Sequence, residues 1–447
     1  MEETICATAT PHGTGGISVV RLSGPGALDI AGKIAPSFKG KPRYAQLVSL
    51  YDSDGSPIDE AIMLYFQAPK SFTGEDVVEF QSHGGMITAS RILDRCMALG
   101  ARPAEPGEFT KRAVLHGKMD LSQAEAVAKL IESKSVDAAR ILARQLKGEL
   151  KEFVDTLRDA LIEILAYIEV NIDYAEEDLP ESLQKQIVQK LEAIDRKIRE
   201  TLQVSKSREG LIEGFRVAIV GKPNVGKSSL LNALLRYDRA IISEIAGTTR
   251  DTIEEEIRIG THLVRIVDTA GIRQSADTIE QIGIERSMQA AESADVVIAL
   301  FDGSRPLESD DREIIGLLEK YRSEKKIIVA INKSDLPQQI DPGLLEPFAP
   351  VSVSARAGAP VLIEKLETVL SRSEAADETL LISKRQVDAA QKTDEAINRA
   401  FEFLESGELE LFAYEINEAI TAIASITHAF ERDEILDKMF GSFCLGK

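Results

Sequence analysis

The sequence predicts a multidomain protein of α/β and α class, in which a small α+β domain precedes a helical domain that a doubly wound α/β domain interrupts. The chain has 447 residues, enough for about three domains of roughly 150 residues each. The first part of the chain contains short β-like runs. Two later parts have helical periodicity, and the segment between these two has alternating strands and helices. We expect domains at 1–118, at 119–214 together with 373–447, and at 215–372.

The net charge, the cysteines and the apolar runs of the chain exclude several classes of protein. The chain has 53 Lys and Arg against 73 Asp and Glu, a net charge of −20, which excludes binding of nucleic acid through a generally basic surface. Any RNA contact must be local or shared with a partner. The three cysteines, Cys6, Cys96 and Cys444, are widely spaced and odd in number, which is typical of reduced thiols. The chain lacks a signal-peptide pattern and any run of about 18 apolar residues, so we expect a cytoplasmic protein without membrane contact.

In the first 118 residues, strands are predicted at TICATAT, ISVVRLSG and DVVEFQSHGG, and a helix over residues 86–99. His12, His83 and His116 have no metal-ligand spacing, and we interpret them as structural or surface residues.

Ser122 and Glu125 have the spacing of a capping box, which predicts the start of a helical region that extends to about residue 171. Further helical stretches are predicted at 183–205 and beyond about residue 374. Between them, strands are predicted at RVAIV, LVRIVD, DVVIALFD, KIIVAI and APVSVSA. Their branched apolar residues favour a parallel sheet covered on both faces.

The most specific motif is the segment Gly221-Lys222-Pro223-Asn224-Val225-Gly226-Lys227-Ser228, which lies between a predicted strand and a predicted helix. Glycines allow backbone amides to surround a β-phosphate, and the helix N-terminus adds partial positive charge. Lys227 is then expected to reach the β- and γ-phosphates. Ser228 offers a hydroxyl to Mg²⁺.

A second motif indicates which base is bound. Asn332-Lys333-Ser334-Asp335 follows the strand KIIVAI, and the Asp335 carboxylate can accept from the two neighbouring N–H donors that guanine offers and adenine lacks. Ser354-Ala355-Arg356 lies where such domains donate a backbone N–H to the guanine carbonyl. The sequence therefore predicts a Ras-like P-loop GTPase domain with GTP as its substrate.

Two further segments complete the predicted phosphate site. Asp268-Thr269-Ala270-Gly271 ends the strand LVRIVD, so Asp268 is expected to hold a Mg²⁺-bound water and Gly271 to meet the γ-phosphate. Gly247-Thr248-Thr249-Arg250-Asp251 lies in a loop, and Thr249 is the natural second hydroxyl ligand for Mg²⁺.

The residue that positions the attacking water is left open by these motifs. Ile272 stands where Ras-type GTPases carry a glutamine. Asp277, Glu280 and Glu285 are candidates for the replacement, and spacing does not choose among them. Arg250 is either an internal arginine finger or the partner of nearby acidic residues.

Taken together, the motifs GKPNVGKSS, AGTTRD, DTAGIR, IEQIGIER and FCLGK resemble those of the tRNA wobble-uridine-modifying GTPases called MnmE or TrmE. The resemblance extends over the whole chain, with the same order of domains. The family commonly has Ile where this chain has Leu445, a change that leaves the thiol of Cys444 in place.

For the GTPase domain, the resemblance implies potassium-dependent hydrolysis when two such domains meet. Potassium ligands are then expected at Asn224, Ser243, Ile245 and Thr248, and Glu280 becomes the expected catalytic residue. The motifs and the resemblance together assign GTP binding to Asn224, Val225, Gly226, Lys227, Ser228, Ser229, Ser243, Glu244, Ile245, Ala246, Gly247, Thr248, Thr249, Asp268, Thr269, Ala270, Gly271, Asn332, Lys333, Asp335, Ser354, Ala355 and Arg356.

For the first domain, the resemblance implies a homodimer that binds 5-formyl- or 5,10-methylene-tetrahydrofolate through Arg21, Glu79, Lys118 and Lys447. It also implies a heterotetramer with the flavin-dependent protein MnmG. This complex would add an aminomethyl or carboxymethylaminomethyl group to carbon 5 of the tRNA wobble uridine, with Cys444 near the one-carbon unit.

The competing interpretation is a GTPase that acts as an assembly switch, docking on the ribosome and leaving after hydrolysis. Both kinds of protein hydrolyse GTP.

Overall fold

The computed structural model describes residues 3–11, 13–173, 181–239, 255–267, 289–354, 360–371, 379–428, 439–441, 443 and 446. The chain is a mixed α/β protein that divides into two compact units. The first unit comprises residues 1–131, 144–198 and 383–447, and the second comprises residues 132–143 and 199–382. No described helix is long and apolar enough to cross a membrane.

A six-stranded sheet forms the N-terminal part of the first unit. Its elements are β1 (Ile5–Thr8), β2 (Ile17–Ser23), α1 (Ala27–Ile34), β3 (Gln46–Tyr51), β4 (Pro57–Phe66), β5 (Val77–His83), α2 (Met86–Ala98), β6 (Arg102–Pro103) and α3 (Glu108–Leu115). The strand order is β3-β4-β5-β2-β1-β6, with β1 and β6 parallel and the other neighbours antiparallel. The strands that we predicted correspond to β1, β2 and β5, and the predicted helix is α2.

The two faces of this sheet have different environments because side chains alternate along each strand. One face, including Val20, Leu22, Val78 and Phe80, packs with α1 and α2 in a buried core. Cys96 lies in the same core, and burial raises the pKa of its thiol above the ordinary value. The opposite face is buried at Ile5 on β1 but partly accessible at Arg21 and Glu79, two of the predicted folate residues.

Among the described residues, seven further helices lie in sequence between the two sheet-containing segments or after the second one. They are α4 (Leu121–Glu132), α5 (Val136–Leu146), α6 (Glu149–Asp173), α7 (Glu181–Ser207), α8 (Glu209–Glu213), α12 (Lys384–Ser406) and α13 (Leu409–Ala424). The predicted helical stretches are confirmed, although α4, α5 and α6 divide the first of them into three.

The predicted capping box at the start of α4 is wrong by two residues. Asp120 precedes the helix, and its Oδ1 accepts from the Gln123 backbone N–H at 2.9 Å. The Gln123 side-chain oxygen in turn accepts from the Asp120 N–H at 3.0 Å. Asp and Gln can form this reciprocal pair as Ser and Glu do, so the spacing in the sequence fits both pairs and does not distinguish them.

Glu125, which takes no part in capping, lies buried at the centre of a polar network. Its Oε1 accepts from Arg385 Nε at 2.8 Å, and its Oε2 accepts from Arg385 Nη2 at 2.9 Å and from Gln386 Nε2 at 2.7 Å. Arg385 also donates to the carbonyls of Ser425 and Ile426 beyond the end of α13. Three segments far apart in sequence are thereby joined within the first unit.

The second unit contains a six-stranded sheet with helices on both faces. Its elements are β7 (Phe215–Val220), α9 (Lys227–Arg239), β8 (Glu255–Ile259), β9 (His262–Val267), β10 (Val296–Asp302), α10 (Ser309–Tyr321), β11 (Lys326–Asn332), β12 (Val351–Ser352) and α11 (Pro360–Ser371). The strand order is β12-β11-β10-β7-β9-β8. All five predicted strands are present, but β12 is shorter than APVSVSA. The sheet is not wholly parallel, because the unpredicted strand β8 is antiparallel to β9.

Residues 132–143 pack against the hairpin of β8 and β9. The carbonyl of Thr261, at the hairpin turn, accepts from the Val136 N–H at 3.1 Å and from the Ser135 hydroxyl at 3.0 Å. Asp137 Oδ2 lies 3.3 Å from Nδ1 of the buried His262. Ile141 packs on the core beneath the sheet. A helical segment distant in sequence is therefore part of the α/β unit.

We expect replacement of Glu125 by Ala to destabilise the first unit, because Arg385 would keep its charge without its carboxylate. Loss of one partner from a buried ion pair costs about 3–5 kcal/mol. Urea unfolding followed by far-UV circular dichroism measures this as a lower transition midpoint. The matched control is Asp29→Ala, which breaks an exposed pair with Lys33 and should change stability by less than about 1 kcal/mol. Equal midpoints for the two variants would contradict the importance of the Glu125 network.

Candidate functional site

The glycine-rich loop joins β7 to α9 and approaches its neighbours closely. A Cβ atom at Gly226 would lie 2.2 Å from Asn332 Nδ2, and one at Gly221 would lie 2.6 Å from the Leu300 carbonyl oxygen. Gly226 also has a φ of +105°, which other residues rarely adopt. Both glycines are therefore required by the packing of the loop as well as by any bound phosphate.

Lys227 begins α9 and folds back over the loop. Its Nζ donates to the carbonyl oxygen of Gly221 at 2.5 Å and to that of Lys222 at 2.9 Å. Burial lowers the pKa of the Lys227 ammonium to about 8, because no carboxylate of the described residues compensates for the lost hydration. An anion at this position would restore the ordinary preference for the charged form.

A second lysine, Lys222, anchors the loop to α10. Its Nζ lies 2.7 Å from Asp311 Oδ2 and 3.0 Å from Glu308 Oε2. The same two acidic residues form the capping box of α10. Burial acts to lower the pKa of Lys222, but the hydrogen bonds to both carboxylates raise it above the ordinary value. This anchor was not predicted, because Glu308 and Asp311 lie more than 80 residues away and belong to no motif.

The carboxyl ends of β11 and β10 bring the residues predicted to recognise the base close to the glycine-rich loop. Asn332 Nδ2 donates to the Val225 carbonyl at 2.7 Å. Lys333, with a φ of +63°, places its Nζ 2.6 Å from Asp302 Oδ2. Ser354 Oγ donates to Asp335 Oδ1 at 2.9 Å. The predicted guanine-binding residue Asp335 is thus hydrogen-bonded to Ser354 beside the carboxyl end of β11.

The structure describes only part of the predicted GTP site. Asn224 is exposed with a φ of +62°, and Ser228 and Ser229 lie in the first turn of α9. Outside the described residues are Ser243, Glu244, Ile245, Ala246, Gly247, Thr248, Thr249, Arg250, Asp268, Thr269, Ala270, Gly271, Ile272, Asp277, Glu280, Glu285, Ala355 and Arg356.

Two of the predicted folate residues are neighbours on the accessible face of the first sheet. Arg21 on β2 is paired with Glu79 on β5 in the strand register, and its Nη2 lies 2.9 Å from Glu79 Oε1. The Arg21 guanidinium also lies 5.6 Å from the ring centres of Phe72 and Phe109. Lys118 donates to the Pro69 carbonyl at 2.8 Å, in the loop that carries Phe72.

The C-terminal tail packs against the same domain. A Cβ atom at Gly446 would lie 2.2 Å from the carbonyl oxygen of Thr8, the last residue of β1. One at Gly107 would lie 2.5 Å from the Phe440 carbonyl oxygen. Cys444 and Lys447 are outside the described residues. Gly446 is therefore the described part of the tail that reaches β1, the strand beside the one that carries Arg21.

A cavity of about 520 Å³ lies where the tail meets α3, and Lys111, Arg112, Leu115 and Phe440 contribute to its wall. Arg112 is buried between Glu75 and Glu108, with N to O distances of 2.9 Å to each. Its charge is thus already compensated. Sequence reasoning missed this cluster because no motif contains it.

Comparison with known proteins adds to this geometry. Residues 4–118 match the family described as GTP-binding protein TrmE N-terminus, and residues 121–444 match the MnmE helical domain. The tRNA modification GTPase MnmE of Sulfurovum sp. strain NBC37-1 is 57% identical over 100% of this chain and 99% of its own length. The chain belongs to the MnmE family. The protein of that name from Sulfurimonas denitrificans is 56% identical over 100% of both chains.

Among solved structures, that of Era in complex with MgGDPNP and nucleotides 1506–1542 of 16S ribosomal RNA is 31% identical, covering 41% of this chain and 66% of that one. Its TM-score is 0.26, so it carries no argument about the fold. As an MnmE family member with these two nucleotide motifs, the chain is a GTP hydrolase.

We expect GTP binding to take up a proton at high pH. In the free site Lys227 is half neutral near its pKa of about 8, and bound phosphates favour its charged form. The contribution of Lys227 to GTP affinity should therefore be nearly constant below pH 8. Above pH 8, the affinity for GTP should fall by up to about tenfold per pH unit. Isothermal titration calorimetry at pH 9 in buffers of different ionisation enthalpy measures the uptake.

The Lys227→Arg variant is the control for this experiment, because a guanidinium stays charged throughout the range. Its binding should involve markedly less proton uptake. Identical proton uptake by the wild-type protein and the Arg variant would exclude Lys227 as the titrating group.

Proposed function

We propose that this chain is a potassium-stimulated GTP hydrolase that acts with a flavin-dependent partner, MnmG, in a heterotetramer. The complex would add an aminomethyl or carboxymethylaminomethyl group to carbon 5 of the tRNA wobble uridine, using a tetrahydrofolate one-carbon unit. The single observation that carries this proposal is the packing of Gly446 on Thr8. It brings Gly446 of the Cys-Leu-Gly-Lys tail to the strand adjacent to Arg21, which a GTPase that only switches ribosome assembly would not need.

For hydrolysis, the proposal assigns phosphate binding to the loop amides and Lys227, and guanine recognition to Asp335 with the segment 354–356. Ser228 and Thr249 would hold Mg²⁺ through hydroxyl oxygens, which suit a hard cation. Asp268 would hold a water bound to that ion, and Gly271 would donate to the γ-phosphate. Bound Mg²⁺ would neutralise charge that develops on the phosphates.

The proposed potassium site includes Asn224, whose side-chain amide has the oxygen that an alkali cation requires. Asn224 is exposed and adopts the left-handed conformation, which Asn tolerates better than most residues. Ser243, Ile245 and Thr248 would supply the remaining ligands. A monovalent cation held there would compensate transition-state charge in the manner of an arginine finger. Arg250 is then not needed for that role.

The proposed folate site uses the pair on the first sheet. Within the described part of the chain, hydrogen bonds to Glu79 reach only Oε1, so Oε2 is available for the N–H donors of a pterin. Phe72, which is partly exposed and close to Arg21, supplies an aromatic surface for a planar ring. Lys118 and Lys447 would pair with the glutamate of folate. Cys444 would lie near the one-carbon unit.

A homodimer is part of the proposal. Leu47 on β3 and Ile62 on β4 face each other on the accessible side of the sheet, and both are exposed. Ile17 lies on the same side and is 65% exposed. A second copy of the chain that covered this face would remove apolar surface from water. We also propose that the protein is cytoplasmic, and that a GTPase domain at 215–372 is inserted between helical segments 119–214 and 373–447.

Nucleoside mass spectrometry of tRNA from cells that lack the gene tests this proposal. An unmodified wobble uridine is expected. Fully modified tRNA together with immature ribosomal subunits would contradict it and favour the assembly switch.

We expect Glu280→Ala to bind GTP with unchanged affinity but to lose most of its hydrolysis, because positioning of the attacking water acts only in the transition state. Single-turnover hydrolysis in potassium buffer, beside nucleotide titration, separates the two quantities. Asp277→Ala is the matched control and should keep its turnover. Normal hydrolysis by the Glu280 variant would remove this residue from the mechanism.

We expect Gly446→Ala to abolish tRNA modification and to leave GTP turnover intact. Its Cβ cannot fit 2.2 Å from the Thr8 oxygen, so the tail would leave β1 and carry Cys444 with it. Complementation of the gene deletion, read by nucleoside mass spectrometry, measures the effect. Cys444→Ser should behave in the same way.

Gly32→Ala in α1 is the matched control, because its Cβ would have open space around it. Full modification by the Gly446 variant would show that the position of the tail on β1 is irrelevant to the reaction.

A further inference from the structure

Two loops at the β3 and β4 edge of the first sheet form a basic surface, which we call the basic loop patch and define as Lys39, Lys41, Arg43, Tyr44 and Lys70. We propose that the basic loop patch binds tRNA, with its cations on phosphates and Tyr44 against an unpaired base. The inference rests on the proposed function, since it concerns how an acidic chain holds an RNA substrate.

The charge of the chain is distributed unevenly. Residues 1–118 contain 12 Lys and Arg against 13 Asp and Glu, so nearly all of the net charge of −20 comes from the rest of the sequence. Residues 30–51 contain four basic residues and no acidic one, and residues 61–74 contain Lys70 and no acidic residue. The basic loop patch is therefore the local positive region that RNA binding by an acidic protein requires.

The cations of the patch have no carboxylate partner among the described residues. Other basic residues of the same domain do have one: Lys33 pairs with Asp29, Arg91 with Asp52, and Arg102 with Glu108. Lys39, Lys41, Arg43 and Lys70 are all exposed. Their charge is therefore not compensated by the described part of this chain, and it is available to an anionic partner.

Hydrogen bonds fix the backbone that carries these cations and the guanidinium of Arg43. The Gln46 side chain donates to the Ser37 carbonyl at 2.7 Å and accepts from the Lys39 N–H at 3.0 Å. The Arg43 N–H donates to the Tyr65 carbonyl at 2.8 Å, and Arg43 Nη2 donates to the Lys70 carbonyl at 2.7 Å. The hydrogen bond from Arg43 to the Lys70 carbonyl joins the two loops. Such preorganisation reduces the entropy cost of binding.

Aromatic rings alternate with the cations, which favours RNA over other polyanions. Tyr44 is 54% exposed, and Lys41 Nζ lies 5.1 Å from the centre of its ring. The Arg43 guanidinium lies 5.7 Å from the ring centre of Phe66. Unpaired bases stack on exposed rings of this kind, at about 1–3 kcal/mol per base. An anticodon loop offers unpaired bases and phosphates together.

Fluorescence anisotropy with a tRNA transcript and with its anticodon stem-loop tests the patch. The full-length K39A/K41A/K70A variant should bind at least tenfold more weakly. Its plot of log affinity against log salt should be less steep by about 2, because each phosphate that a lysine neutralises contributes roughly 0.7 to the slope. Tyr44→Ala should weaken binding several-fold with an unchanged salt slope, and Tyr44→Phe should restore it. GTP turnover should not change in any of these variants.

The matched control is K197A/K320A/K392A, which removes three exposed lysines elsewhere; Lys320 also lies 5.1 Å from a tyrosine ring. Equal binding by the two triple variants, or no binding of tRNA by the wild-type protein, would overturn the patch. Equal competition by phosphatidylserine vesicles would also overturn it, because the surface would then bind any anion. If the K39A/K41A/K70A variant still restored modified tRNA in cells that lack the gene, the patch proposal would fail but the proposed function would stand.

Discussion

The hydrogen bond from Asn332 to the Val225 carbonyl is the interaction on which the nucleotide site depends. It fixes the glycine-rich loop to the segment 332–335, so the distance between the predicted phosphate-binding and base-binding segments is set without a ligand. Gly226 is required for the same reason, since a Cβ there would lie 2.2 Å from the Asn332 amide nitrogen and clash with it. Lys227 follows directly in the chain, and its ammonium is held by the carbonyls of Gly221 and Lys222 in the same loop.

Local patterns in the sequence were sufficient to predict the elements that form this site. The strands that end at Val220 and Asn332 are buried branched runs, and their motifs occur where each strand ends. Strands β3, β4, β6 and β8 were missed. Strand β8 contains charged residues, β6 has only two residues, and β3 and β4 were not separated from the turns around them. The cap of α4 was misassigned because Asp120 and Gln123 match the same spacing as Ser122 and Glu125.

Interactions between distant segments could not be predicted at all. Lys222 with Asp311, Glu125 with Arg385, and Arg112 with Glu75 each join residues that no motif contains as a pair. In each case a buried charge requires a partner, but the sequence does not say which one. The roles of Glu280 and of the folate residues came from the family resemblance, since their residue types alone have ordinary structural explanations.

The packing of residues 132–143 on the hairpin of β8 and β9 has a practical consequence for dissection of the molecule. A fragment cut at residues 215 and 372 would keep all the nucleotide motifs but would lack Ser135, Asp137 and Ile141. His262, buried in the whole chain, would then be without its carboxylate neighbour, and the Thr261 carbonyl would be without both donors. Kinetic constants from such a fragment would therefore describe a hairpin whose packing surface is exposed to water. The hairpin ends at Val267, directly before Asp268 in the sequence.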